Sequence, residues 1–219
     1  MVHPPRRPRA LWSAVGVGVG VVLAGAPALA VGQTSALAAP GQLLVARGHG
    51  WTSHGLEGPV PKPGACHYRR SAPGWYRPDP RCTPGAIDPS VTQADLFRTI
   101  CWVDGYTARV RPPYRLTEPF KYSAERAYRD PAPTWNSELD HLVPLELGGA
   151  SDTQNLWPQP DQGKPARFDP QDPYGINAKD GVEDRLHDAV CAGQVSLHAA
   201  QAAIVANWTT AEGRLGVRP

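Results

Sequence analysis

The sequence predicts an α+β fold: a strand–loop–strand–helix core near the C-terminus, additional short helices, and a loop-rich, disulfide-stapled N-terminal lobe. Three observations predict it. Glu138 to Val143 and Asn155 to Trp157 read as two short strands around a Gly148-Gly149 turn. Val182, Leu186 and Ala189 recur at helical spacing just downstream. The 219-residue chain also holds 25 prolines, 22 glycines and 4 cysteines, a composition that favours ordered loops and short elements.

The N-terminus reads as an export signal. Arg6, Arg7 and Arg9 precede an apolar run from Ala10 to Ala24, followed by Pro27 and the small-residue site Ala28-Leu29-Ala30. A membrane anchor is the rival reading, but Gly16, Gly18, Gly20 and Gly25 interrupt a run shorter than the roughly 20 apolar residues that spanning needs. Residues 1–30 are thus expected to be a signal peptide of a secreted or extracytoplasmic protein with no stable membrane insertion. Removing these three arginines from the 22 basic groups leaves 19 against 20 acids. A uniformly basic surface for coating nucleic acid is excluded, and any grip on phosphate must be local.

Residues 31–60 are Ala/Gly/Pro-rich without a period, and a flexible leader is expected there. Residues 61–130 form the expected basic N-terminal lobe, rich in turns. Cys66, Cys82, Cys101 and Cys191 contain no Cys-x-x-Cys pair, so two disulfides are expected rather than a four-cysteine zinc site. Of the three connectivities, Cys66–Cys82 with Cys101–Cys191 is the one expected. Thr92 is placed to cap a helix through Cys101, Tyr106 to Val110 alternates like a strand stopped by Pro112-Pro113, and a helix is expected over 118–129. Residues 131–212 form the core, with helices at 178–190 and, capped by Ser196, from Leu197 to Trp208. Trp208 falls on the inward stripe of the last helix.

Charge is uneven. Residues 98–129 hold seven basic groups and three acids, whereas residues 137–188 hold eleven acids and four basic groups. A basic lobe beside an acidic one suits a protein that grips a polyanion with one and a divalent cation with the other; solvated charge without a partner explains it equally.

The stretch W-N-S-E-L-D-H-L-V-P-L-E-L-G-G-A-S-D-T-Q-N-L-W (Trp135 to Trp157) carries the chemistry. Asp140 and His141 are adjacent on the first strand, Asn155 opens the second, and Lys179, Glu183 and His187 follow at i, i+4, i+8 on the helix. This arrangement resembles the ββα-metal fold of the HNH (His-Me finger) endonucleases. More closely, it resembles a group of exported bacterial HNH-type proteins through T-P-G-A-I-D-P-S-V-T-Q (Thr83 to Gln93), T-I-C (Thr99 to Cys101), G-Y-T-A-R-V-R-P-P (Gly105 to Pro113) and A-K-D-G-V-E-D-R-L-H-D-A-V-C-A-G (Ala178 to Gly193). The resemblance covers roughly residues 80–210.

The resemblance implies a secreted phosphodiester hydrolase acting on DNA or RNA with little sequence preference, DNA being the first choice. His141 is then the general base, Asn155 holds the loop or the histidine ring, and Asp140 is a metal ligand. His187 is the chosen second ligand, with Glu183 beside it, and Asn177 competes with His187. One divalent ion, Mg²⁺ first and Mn²⁺, Ni²⁺ or Zn²⁺ as substitutes, would stabilise the leaving oxygen. Arg185, Lys179, Arg109 and Arg111 are candidates for holding phosphate. His187 follows Asn155 by 32 residues, far more than in the compact family pattern, so Gln159 to Ile176 is read as an insertion. Glu146 is a candidate orienter of a ligand. A serine hydrolase built on Ser137 or Ser151 lacks a Gly-x-Ser-x-Gly context. The alternative is a non-catalytic exported HNH-like domain that binds nucleic acid, metal or a protein partner. A toxin-like effector would add an inhibitor protein.

Overall fold

Among the residues that the computed structural model describes (42–72, 74–103, 105–129, 137–161 and 177–218), eight short strands pair only in twos, beside five α-helices. The expected signal peptide, residues 31–41 of the leader and residues 162–176 of the insertion lie outside the described residues. Among those described, no helix is long and apolar enough to cross a membrane.

The N-terminal strands are short and locally closed. β1 (Leu44–Val45) pairs in parallel with β6 (Ala86–Ile87), β2 (Trp51–Thr52) with β3 (Gly55–Leu56), and β4 (Arg69–Ala72) with β5 (Trp75–Arg77). The flexible leader expected up to residue 60 is therefore ordered from residue 42. Its order comes from backbone bonds to distant segments, such as Leu44 N–H to Gly85 O, Ser151 N–H to His49 O and Thr153 N–H to Glu57 O. The Trp51 indole also donates to the Val110 carbonyl. Pairings two residues long leave no period in a sequence, which is why this order was not foreseen. The disulfides are Cys66–Cys82 and Cys101–Cys191, the expected pairing.

Three other expectations are corrected. Tyr106–Val110 is a short helix, α1, entered from Gly105 in the left-handed region (φ 82°), and not a strand. Five residues are too few to separate a period of 2 from one of 3.6. The helix expected from Thr92 to Cys101 is only a 3-10 turn, Leu96–Arg98: the Thr92 hydroxyl donates to the Asp95 carboxylate instead of capping. Helix α2 spans Tyr114–Tyr128, beginning right after Pro113 and accommodating Pro119 internally.

The core pair is β7 (Ser137–His141) and β8 (Leu156–Pro160), antiparallel, with Asp140 opposite Trp157 and His141 opposite Leu156. Pro158 does not end β8, which runs through it to Pro160. The Pro158 carbonyl faces away from β7 and accepts from the Tyr68 hydroxyl, so the missing N–H falls on the unpaired edge, where proline is tolerated. Between the strands, Gly148 has φ 73°, and a Cβ on Gly149 would lie 1.8 Å from the Val143 carbonyl oxygen. Only glycine fits such an approach.

Helix α3 (Ala178–Cys191) opens with a reciprocal capping box between Asn177 and Asp180, and buries Val182, Leu186 and Ala189. Helix α4 (Leu197–Asn207) is capped by the Ser196 hydroxyl, which accepts from Ala199 N–H, and α5 spans Ala211–Leu215. Trp208, just past α4, is buried and donates to the Tyr76 carbonyl. These helices pack on Val91, Leu96, Ile100, Val143 and Leu147 in the largest apolar cluster. A second cluster, with Tyr128, Leu142 and Trp157, seats β7 and β8 over the Cys66–Cys82 bridge.

Candidate functional site

Successive strand residues face opposite sides, and the site follows from this. Asp140 points across to β8, where Trp157 Nε1 donates to its Oδ2 at 2.7 Å, and on to α3, where Lys179 Nζ lies 3.1 Å from Oδ1 and 2.9 Å from Oδ2. Lys179 is fully buried. Its ammonium also donates to the His141 carbonyl at 2.8 Å and to Glu183 Oε1. Burial opposes the charge on Lys179, but Asp140 and Glu183 outweigh it and hold its pKa above the ordinary value. Burial pushes Glu183 well above the carboxylate range and also raises Asp140, with Lys179 opposing both. One ammonium thus stays charged between two buried carboxyls whose hold on a proton burial strengthens.

His141, at the end of β7, faces the other way. Its Nε2 lies 2.8 Å from the hydroxyl of buried Ser151. Burial first, then the charges of Arg111 and Lys179, push its pKa down to about 3, so the imidazole is neutral near pH 7. Asn155 does not touch the ring. Its side-chain oxygen accepts from Val143 N–H, and its amide donates to the carbonyls of Val143 and Ala150, tying the loop between the strands.

The structure brings together Asp140, His141, Asn155, Lys179, Glu183 and, through its charge, Arg111. It does not bring in the rest. His187 Nε2 is 2.9 Å from the Ile100 carbonyl and 3.4 Å from Cys191 Sγ, and so is directed at the disulfide. Positions eight apart on a helix are rotated by about 80°, which carries His187 away from Lys179. Arg185 is paired with Glu212 of α5, and Arg109 lies over the Trp102 ring at 4.2 Å. Asn177 is the helix cap and donates to Glu138 Oε2 at 3.0 Å. Ser151, Trp157 and Glu138 went unassigned as partners in the sequence. Cross-strand register was the signal for Trp157, since it stands opposite Asp140.

A divalent ion held by Asp140, Glu183 and His187 does not fit this arrangement. The ammonium of Lys179 already lies between the two carboxylates, and His187 serves another partner. Among the described residues, Cys101, His187 and Cys191 are the only three metal-ligating types gathered within 4.8 Å. Their two sulfurs are bonded to each other, however, and a disulfide offers no thiolate.

Glu146 interacts electrostatically with Glu183 and Lys179. Burial, reinforced by Asp184 and Asp188 and opposed by His187 and Lys179, pushes its pKa up to about 7, and its Oε1 has no hydrogen-bond partner. The folded state therefore binds the proton more tightly than the unfolded state. Stability should fall as pH rises from about 4.5 through about 7. Glu146→Gln is expected to remove that loss and gain on the order of 1–3 kcal/mol at pH 8, with little change at pH 5. Urea unfolding at both pH values checks it; equal effects at both would contradict the assignment.

Comparison of the chain with protein-family models, with curated proteins and with solved structures finds no match in any of the three.

Proposed function

We propose that this chain is an extracytoplasmic phosphodiester hydrolase of HNH type, acting on DNA or RNA, with His141 as its general base. The observation that carries the reading is a buried, neutral His141 oriented by Ser151, within the electrostatic reach of the exposed Arg111. In this reading Nε2 carries the ring proton and donates it to Ser151, so Nδ1 presents its lone pair to the attacking water. As water adds to phosphorus, Nδ1 takes its proton and the P–O bond to the leaving sugar oxygen breaks; that oxygen takes a proton from solvent, and Arg111 offsets the charge growing on the phosphoryl oxygens. Asn155 keeps the loop that carries Ser151 in place. Two disulfides suit an oxidising compartment, in keeping with the export signal read in residues 1–30. Dependence on a divalent ion is not carried forward, because Lys179 stands between Asp140 and Glu183 and His187 meets the Ile100 carbonyl instead.

The alternative, a non-catalytic domain of the same shape that binds nucleic acid, is favoured by one observation: the buried Lys179 fills the place between the carboxylates. Both readings are tested by incubating the oxidised full chain with supercoiled plasmid and with labelled single-stranded RNA. Cleavage of either polymer is expected, and Arg111→Ala should weaken it about tenfold, the scale of one lost charged contact. Binding without cleavage of either polymer would leave the non-catalytic reading.

A further inference from the structure

The geometry points to Lys179 as the site's resident cation, a built-in replacement for the divalent ion at Asp140 and Glu183. Lys179 stands in the first turn of α3, a turn fixed by the Asn177–Asp180 capping box. Its side chain has no exposure, so bulk solvent does not reach the charge. An ammonium has three donors and no acceptor. All three are accounted for: the Asp140 carboxylate, the His141 carbonyl and Glu183 Oε1. Both oxygens of Asp140 are engaged as well. Asp140 Oδ2 takes the Trp157 indole as well as the ammonium, and Oδ1 takes the ammonium. A metal ion could use the Asp140 oxygens only by expelling a buried, fully bonded cation or by sitting beside it, with like charges in a buried site. Through the His141 carbonyl, the same ammonium also fixes the backbone of the proposed base.

The inference concerns binding and stands whether or not the chain cleaves nucleic acid. Titration calorimetry and thermal unfolding of the oxidised full chain with Mn²⁺, and with EDTA, test it directly. Wild type is expected to show no stoichiometric Mn²⁺ binding and the same Tm in both. Lys179→Ala, which empties the space between the carboxylates, is expected to gain a Tm that rises with Mn²⁺ concentration. Lys179→Met, which fills that space with an apolar chain, is expected not to. One ion bound by wild type and lost in Asp140→Asn or Glu183→Gln would overturn the inference, even if the alanine variant fails to fold. Failure here leaves the phosphodiesterase reading intact, since that reading is judged by cleavage.

Discussion

Lys179→Met is expected to destabilise the protein by about 3–5 kcal/mol near neutral pH, the usual cost of removing one partner from a buried ionic group. The lysine stem is replaced by an apolar chain of similar length, so little packing is lost. What is lost is the only positive charge within hydrogen-bonding reach of Asp140 and Glu183 among the described residues. Both carboxyls would then hold protons to higher pH in the folded state. The loss should therefore shrink toward pH 4 and grow toward pH 8. Asp140→Asn with Glu183→Gln in the same chain should recover much of the stability. Urea unfolding at both pH values decides: a cost under about 1 kcal/mol, independent of pH, would mean that the triad is not the electrostatic centre of the fold.

The second large effect is expected at Cys101–Cys191. This bridge closes 90 residues, against 16 for Cys66–Cys82. Loop-closure entropy makes the long bridge worth about 4–5 kcal/mol and the short one about 3. The long bridge also joins the end of α3 to the segment whose Ile100 carbonyl meets His187. Cys101→Ser with Cys191→Ser should lower Tm more than Cys66→Ser with Cys82→Ser, by a few degrees for a chain of this size. The reverse order would show that native contacts of the N-terminal lobe, rather than chain entropy, set the contribution of each bridge.

What could be read in the sequence was local. Val182, Leu186 and Ala189 announce α3 because helical periodicity is contained within a few turns, and Ser196 and Asn177 sit where caps belong. The β7–β8 pair was legible because Gly148-Gly149 separates two runs that could only turn back on each other. The N-terminal lobe was less so. The order of residues 42–60 depends on backbone bonds to residues 85–87 and 151–153, and nothing in that stretch reports them. The candidate site divides in the same way. Lys179, Glu183 and His187 look equivalent at steps of four, yet the drift of a straight helix separates the first pair from the last. Arg185, six positions after Lys179, turns about 120° away by the same arithmetic. That Lys179 is buried could not be foreseen, because a lysine is tolerated inside only when distant acids meet it, and Asp140 lies 39 positions upstream.

In the proposed reaction His141 accepts the proton of the attacking water. Its most direct test is the single-turnover cleavage rate of the His141→Ala variant on whichever polymer the wild type cuts, at saturating enzyme and pH 7. The ring is held to the structure mainly through Ser151, so the variant's fold can be verified by an unchanged unfolding transition. The expected rate is 10²–10⁴-fold below wild type, the range for a lost general base. A folded His141→Ala protein that cleaves at the wild-type rate would contradict it.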